Sequence, residues 1–115
     1  KLMKMTTLNI IRMLPLDRKF QAKLLEGFDK LDPDQKFALE EIVWDTYQAI
    51  YKLKLQENIG LALLRAKSNQ EKLDEDFYKR AKQQTEKDME TDFSQSAAKT
   101  NISDVSTKLE SIINQ

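Results

Sequence analysis

Apolar residues in the first third of the chain recur at helical spacing. Following a predicted short helix over residues 7–14, one stripe advances in steps of four, four, four and three: Leu16, Phe20, Leu24, Phe28 and Leu31. This spacing places all five side chains on one face of an α-helix. Either Pro15 in the first turn or Asp17 as the N-cap begins that helix. Gly27 is either the point where another helix approaches closely or the residue that follows a helix end at Glu26.

The segment Asp32-Pro33-Asp34-Gln35 has the composition of a helix N-terminus. Asp32 can accept hydrogen bonds from free backbone N–H groups, and Pro33 suits the first helical position because no hydrogen bond is needed there. Gln35, three residues after Asp32, completes a capping box. A sharp turn therefore joins the second helix to a third, and so short a connection makes the two antiparallel neighbours.

The predicted third helix is apolar over a wide arc. Residues 37–55 contain twelve apolar side chains, and nine of them form two adjacent stripes, one of Leu39, Ile42, Val43, Ile50 and Leu53 and one of Trp44, Tyr47, Tyr51 and Leu55. An arc this wide belongs to a central helix that neighbours cover on more than one side. The aromatic stripe is therefore interpreted as core rather than as a surface for stacking bases. The apolar run over residues 61–64 is also expected to be buried.

The character of the chain changes after Lys67. Half of the positions from 68 to 93 are charged, and apolar residues become sparse. The helix that starts at Pro33 either breaks near Gly60 or Ser68 or continues as one rod to residue 93. The spacing predicts an exposed helical arm beyond the bundle.

A narrow apolar seam runs along this charged arm. Its members, Leu73, Phe77 and Ala81, follow one another at intervals of four residues. A seam this narrow suits a contact between two helices better than a globular core. The seam pairs either with another chain or with the bundle of its own chain.

The pattern as a whole predicts an all-α fold in three parts. Residues 1–67 form a small antiparallel helical bundle, and residues 68–93 form the long, highly charged helical arm. Residues 94–115 are a polar linker and a short C-terminal helix from Ser103 to Ile113. A helix that short is marginal in water on its own, so we expect it to be loosely held.

Composition excludes much of the usual chemistry of enzymes. The chain of 115 residues has no cysteine, no histidine and only two glycines. Disulfides, thiolate nucleophiles, cysteine-ligated zinc and catalytic triads are therefore impossible, and no glycine-rich phosphate loop exists. We expect no catalytic residues, no cofactor and no metal site.

Charge is balanced overall but uneven along the chain. Nineteen basic residues match nineteen acidic ones, yet residues 1–31 carry seven basic against three acidic groups, and residues 32–64 carry three against six. The balance argues against nucleic acid as a partner. The basic N-terminal residues nevertheless define an alternative contact with nucleic acid: Arg12, Arg18, Lys19 and Lys23. No apolar run is long enough to span a membrane, and we expect a cytoplasmic protein.

These observations favour a non-enzymatic interaction or assembly module that acts through helix–helix, coiled-coil-like association. The predicted partner-binding residues are Leu73, Phe77 and Ala81, with flanking charges that set partner choice. The expected partner is another protein or a second copy, and a homodimer is favoured, because a bundle of about 60 residues buries only a marginal core. The alternative function is a regulator that contacts nucleic acid through the basic N-terminal helices.

Overall fold

One long helix organises the molecule. The structure, a computed structural model, describes residues 4–91 and 93–115. Within them the order is α1 Thr7–Met13, α2 Arg18–Gly27, a 3₁₀ turn Phe28–Lys30, α3 Pro33–Lys67, α4 Phe77–Thr91, α5 Ser94–Ala97 and α6 Ile102–Ile113. No strand occurs in this part of the chain, so the predicted all-α fold is confirmed. The 35 residues of α3 span about 52 Å at 1.5 Å per residue, which accounts for the 55 Å long axis of the molecule.

Side-chain caps define where the first helices begin. Asp17 accepts a hydrogen bond from the Phe20 backbone N–H at 3.1 Å and is the N-cap of α2. Asp32 and Gln35 form the predicted capping box at the start of α3, with bonds of 2.9 and 3.2 Å. A Cβ on Gly27 would meet nothing within 4 Å, so no other helix approaches closely there. Gly27 is instead the last residue of α2, at the change to the 3₁₀ turn.

Different neighbours cover the two halves of α3. Helices α1 and α6 pack on its proximal half, residues 33–50, while α4 runs antiparallel along its distal half, residues 51–67. The buried cluster draws on each of the three predicted parts of the chain: Ile10, Ile11, Leu14, Leu24, Leu39, Val43, Ile50, Met89, Phe93, Ala97, Leu109 and Ile112. The half-buried aromatic stripe packs against this cluster, as the core interpretation expected.

The break in the long helix lies at Ser68 and not at Gly60. Asn69 follows with a left-handed backbone (φ 62°), which asparagine tolerates better than most residues. Its N–H bonds to the Ala66 carbonyl, and the next N–H bonds to the Arg65 carbonyl, the arrangement of a Schellman helix end. The sequence from Ser68 therefore ends α3 rather than restarting a helix, and α4 begins only at Phe77.

The charged arm and the last helix are docked, which corrects two details of the expected architecture. Ala81, Thr85 and Met89 follow one another at intervals of four residues on α4, and all three are buried. They are buried because this narrow stripe packs against a second apolar side of α3. Leu109 of α6 is fully buried in the common core. Contacts with α3 therefore hold both ends of the tail that was expected to be loose. Near the C-terminus the Gln35 amide donates to the Ile112 carbonyl, and just before α6 Lys99 pairs with Glu57.

Candidate functional site on the distal half of α3

Large apolar side chains are exposed mainly at one end of the molecule. Six of them are exposed among the described residues, and five lie between positions 61 and 78: Leu61, Leu63, Leu64, Leu73 and Tyr78. The expectation that the run over residues 61–64 is buried is therefore wrong, since only Ala62 is covered. The exposed fractions of Leu61 and Leu64 are 52% and 61%. We call these two leucines, with the flanking exposed Arg65 and Lys67, the distal face.

The distal face prolongs a side of α3 that is buried elsewhere. Leu61 lies about five full helical turns after Val43, so both side chains leave the helix in the same direction. Val43 is fully buried in the proximal half, where α1 and α6 pack. The segment before α6 reaches Glu57, to which Lys99 donates at 2.9 Å. Beyond that point no other described helix covers this side of α3, and its apolar residues face solvent.

A buried polar cluster fixes α4 on a different side of the distal half. The Asn58 amide donates to the Thr85 hydroxyl at 2.9 Å and to an Asp88 carboxylate oxygen at 3.0 Å. Lys54 lies 3.9 Å from the same carboxylate oxygen. Because Ala62 is also buried on this side, about 100° around the helix from Leu61, α4 cannot cover the distal face at the same time.

Arg80 holds the loop between α3 and α4 in place. Its guanidinium donates to the Asp74 carboxylate at 3.0 Å and to the Lys72 carbonyl at 2.7 Å, and it lies 3.6 Å from Glu71. The hydrogen bond with Asp74 lowers the pKa of that carboxyl and raises the pKa of the guanidinium. The loop presents Leu73, with 69% of its surface exposed, beside Ala66 of α3.

The three predicted seam residues do not share one exposed face. Leu73 lies in the loop, because α4 begins four residues later. Phe77 is the first residue of α4 and is half-buried. Ala81 is 5% exposed and lines the same small cavity as Asn58 and Ala62 of α3. Of the three, only Leu73 is placed where a partner can reach it in this fold.

The aromatic stripe is engaged within the molecule. The rings of Trp44 and Tyr47 lie 5.6 Å apart, and Tyr47 meets Phe93 edge-on at 5.7 Å. Burial raises the pKa of Tyr47 and of Tyr51, and the nearby carboxylate of Glu86 adds to both shifts. These contacts leave Phe37 as the one large aromatic of the described α3 that is mostly exposed, at 65%.

An open cleft surrounds Phe37 at the other end of α3. It has a volume of about 340 Å³, and we call it the proximal cleft; it is lined by Phe37, Glu40, Glu41, Trp44 and Asp45. The Trp44 indole donates to the Thr7 hydroxyl at 3.0 Å, and that hydroxyl donates to Glu40 at 3.2 Å. These two bonds tie one wall of the cleft to α1.

The four basic residues of the alternative prediction are all exposed: Arg12, Arg18, Lys19 and Lys23. The Gln21 amide donates to the carbonyls of Ile11 at 2.8 Å and Arg12 at 3.1 Å, which brings the start of α2 to the end of α1. None of the four cations forms an ion pair within the described residues.

Two other features, a cluster of metal ligands and a membrane-spanning helix, are absent from the part of the chain that the structure describes. No group of three or more carboxylates there converges on a point where a metal ion would fit. None of the helices there combines the length and the apolar character that crossing a membrane requires. Comparison with protein-family models, with curated proteins and with solved structures gave no significant match.

Proposed function

We propose that the protein is a non-enzymatic α-helical interaction module that associates with copies of itself through the distal face. One observation carries the proposal: a side of α3 that is buried along the proximal half continues, still apolar, into solvent at Leu61 and Leu64. Leucines spaced by three residues on a helix are the anchors by which helices commonly bind in apolar grooves. Leu73, which is exposed beside Ala66, adds a further apolar side chain at the same end of the molecule.

The size of this surface supports weak and reversible association. Full burial of a leucine is worth about 1.5–3 kcal/mol, so covering the exposed parts of Leu61 and Leu64 contributes about 2–3 kcal/mol in total. Association itself costs at least about 4 kcal/mol, because the two chains lose translational and rotational freedom. Further contacts must therefore add to the two leucines before the interface reaches the size at which specific complexes begin, about 1,200 Å².

The test is the molar mass in solution by light scattering over a concentration series. We expect the wild-type mass to rise above the 13.4 kDa of one chain as concentration increases, and the double variant Leu61→Asp/Leu64→Asp to stay monomeric. The matched control is Lys52→Asp/Gln56→Asp, which places two aspartates at exposed positions on another side of the same helix. Circular dichroism verifies that each variant is folded. A wild type that is monomeric at all concentrations, or a folded leucine variant that still associates, contradicts the proposal.

A second candidate is contact with nucleic acid through the exposed cations at the junction of α1 and α2, which form no ion pair with the residues that the structure describes. Binding of this kind weakens steeply with salt, because it releases counterions from the phosphates. An electrophoretic shift of DNA and RNA at low salt tests it, with Arg18→Gln/Lys19→Gln as the variant expected to lose the shift. No shift by the wild-type protein at low salt would eliminate this function.

A further inference from the structure

Helix α3 carries two uncovered regions, one near each end. The distal face lies on the side of α3 that α1 and α6 cover elsewhere, and the proximal cleft lies where α4 has already ended. We infer that the proximal cleft of one copy receives the distal face of the next, so that the copies associate head to tail. The inference rests on the proposed function and names the surface that the distal face binds.

The proximal cleft has the properties of a receptor for an apolar, basic helix. Phe37 offers a largely exposed ring, and Trp44 forms part of the wall. Glu40, Glu41 and Asp45 surround them with three carboxylates. Glu40 accepts a hydrogen bond from Thr7, but none of the three forms an ion pair within the described residues. An apolar anchor with cations beside it would satisfy both features of the cleft.

The distal face supplies that combination. Leu61 and Leu64 are flanked by Arg65 and Lys67, and no acidic residue occurs from Asn58 to Gln70. Arg65 has only a long contact with a carboxylate, 4.0 Å from Glu71, and its side chain is half exposed. In the head-to-tail contact the two leucines pack against the Phe37 ring while the cations approach the carboxylates of the cleft.

Charge favours this contact over a symmetric pairing of two distal faces. A symmetric pair brings together four cations, two from each copy, in one small contact, and like charges disfavour it. The head-to-tail contact places the same cations beside unpaired carboxylates. Because its two surfaces differ, it leaves a free cleft at one end and a free face at the other. Mass therefore increases in steps of one copy until the copies close into a ring, or without limit where the rotation between copies prevents closure.

Two complementary variants test the inference directly. Phe37→Asp blocks the cleft and keeps the distal face, whereas Leu61→Asp/Leu64→Asp blocks the face and keeps the cleft. All three positions are exposed, so both proteins are expected to fold. We expect each variant alone to be monomeric by light scattering. Mixed at equal concentration, they should form a complex of two chains and nothing larger, because only one working cleft and one working face remain in each pair.

The outcomes separate this inference from the proposal on which it rests. Association of the Phe37→Asp protein by itself would mean that two distal faces pair, which overturns head-to-tail contact and leaves the proposed function intact. A wild type that never associates overturns both. A wild type that associates, with a mixture of variants that remains monomeric, overturns the inference alone.

Charge reversal provides a second test that leaves the apolar residues in place. Glu41→Lys/Asp45→Lys makes the cleft basic, and Arg65→Glu/Lys67→Glu makes the distal face acidic. Each variant alone opposes like charges and should lose the concentration-dependent rise in mass. Their mixture restores opposite charges at every contact and should recover the growth that the wild type shows. Failure of the mixture to recover it, with both variants folded, contradicts the role of charge in the contact.

Discussion

The polar pair Asn58 and Thr85 between α3 and α4 provides a quantitative test of how the distal half is held together. Asn58 is almost fully buried, and Thr85 is completely buried. The Thr85 hydroxyl donates to the Ala81 carbonyl at 2.8 Å, so it accepts the bond from the Asn58 amide. The second amide hydrogen bonds to Asp88. Replacing Asn58 by alanine removes both bonds and leaves a small cavity.

The free energy of unfolding that Asn58→Ala loses can be calculated from these contacts. The bond to Thr85 is worth about 1 kcal/mol, and the bond to the charged Asp88 about 1.5 kcal/mol or more when buried. Asp88 is partly exposed and keeps the hydrogen bond from Gln84 and the ion pair with Lys54, so the lower part of that range applies. Asn58→Ala should therefore reduce the free energy of unfolding by about 2–3 kcal/mol, a large share of the total stability of about 5–15 kcal/mol that is typical of small domains.

A double-mutant cycle isolates the bond between the two side chains. Thr85→Val removes the hydroxyl at nearly constant shape, and we expect it to cost about 1 kcal/mol by itself. Together the two changes should cost about 1 kcal/mol less than their sum, because both remove the same bond. Urea unfolding, followed by circular dichroism at low protein concentration, measures the wild type and the three variants. Gln56→Ala, at an exposed position of the same helix, is the control and should change stability by less than about 0.5 kcal/mol. Strict additivity, or a loss for Asn58→Ala no larger than that of the control, would refute this account.

Two further changes test local features of α3. Gly60→Ala should stabilise the monomer by about 0.5–1 kcal/mol, because Gly60 lies inside the helix and an added Cβ meets nothing within 4 Å; a decrease in the urea midpoint at low concentration would contradict this. Lys99→Gln should cost at most about 1 kcal/mol, since the pair with Glu57 is partly exposed. The hydrogen bond from Lys99 lowers the pKa of Glu57 below the ordinary 4.5. The difference in stability between the variant and the wild type is therefore present above pH 4.5 and disappears as pH falls through the lowered pKa. A difference that persists in strong acid, where Glu57 is protonated, would show that the ion pair is not its cause.

Local signals in the sequence predicted the helices better than they predicted the arrangement of the helices. The cap at Asp32 was identified from residue types alone, and Asp17 was one of the two alternatives for the start of α2, because each cap depends only on neighbours three residues away. The segment at Ser68 was harder, because the same residues suit the start of a helix and its end. The left-handed conformation of Asn69 decides between the two, and it is visible only in the backbone.

The candidate site was missed because burial depends on distant parts of the chain. An apolar run around the whole helix at residues 61–64 indicates burial, and three of its four members are nevertheless exposed. Their exposure follows from where α4 packs and where α6 begins, and no local pattern contains that information. The same dependence applies to the seam: Ala81 packs against α3 of its own chain, which was one of the two partners expected for it, and the local pattern does not decide between the two.

The two uncovered regions follow from the lengths of the helices. Helix α3 is about 52 Å long, whereas α4 with 15 residues and α6 with 12 residues cover about 22 Å and 18 Å. Trp44 lies about five full helical turns before Ala62 and so points to the side that α4 covers distally, just as Val43 and Leu61 share the other side. On the Trp44 side α1 contacts the proximal half through Thr7 but leaves Phe37 exposed, whereas on the Val43 side the residues left exposed are Leu61 and Leu64 at the distal end. In the head-to-tail contact that we propose, a second copy would cover both exposed regions without any new element, whereas a symmetric pair of distal faces would leave Phe37 in solvent on both chains.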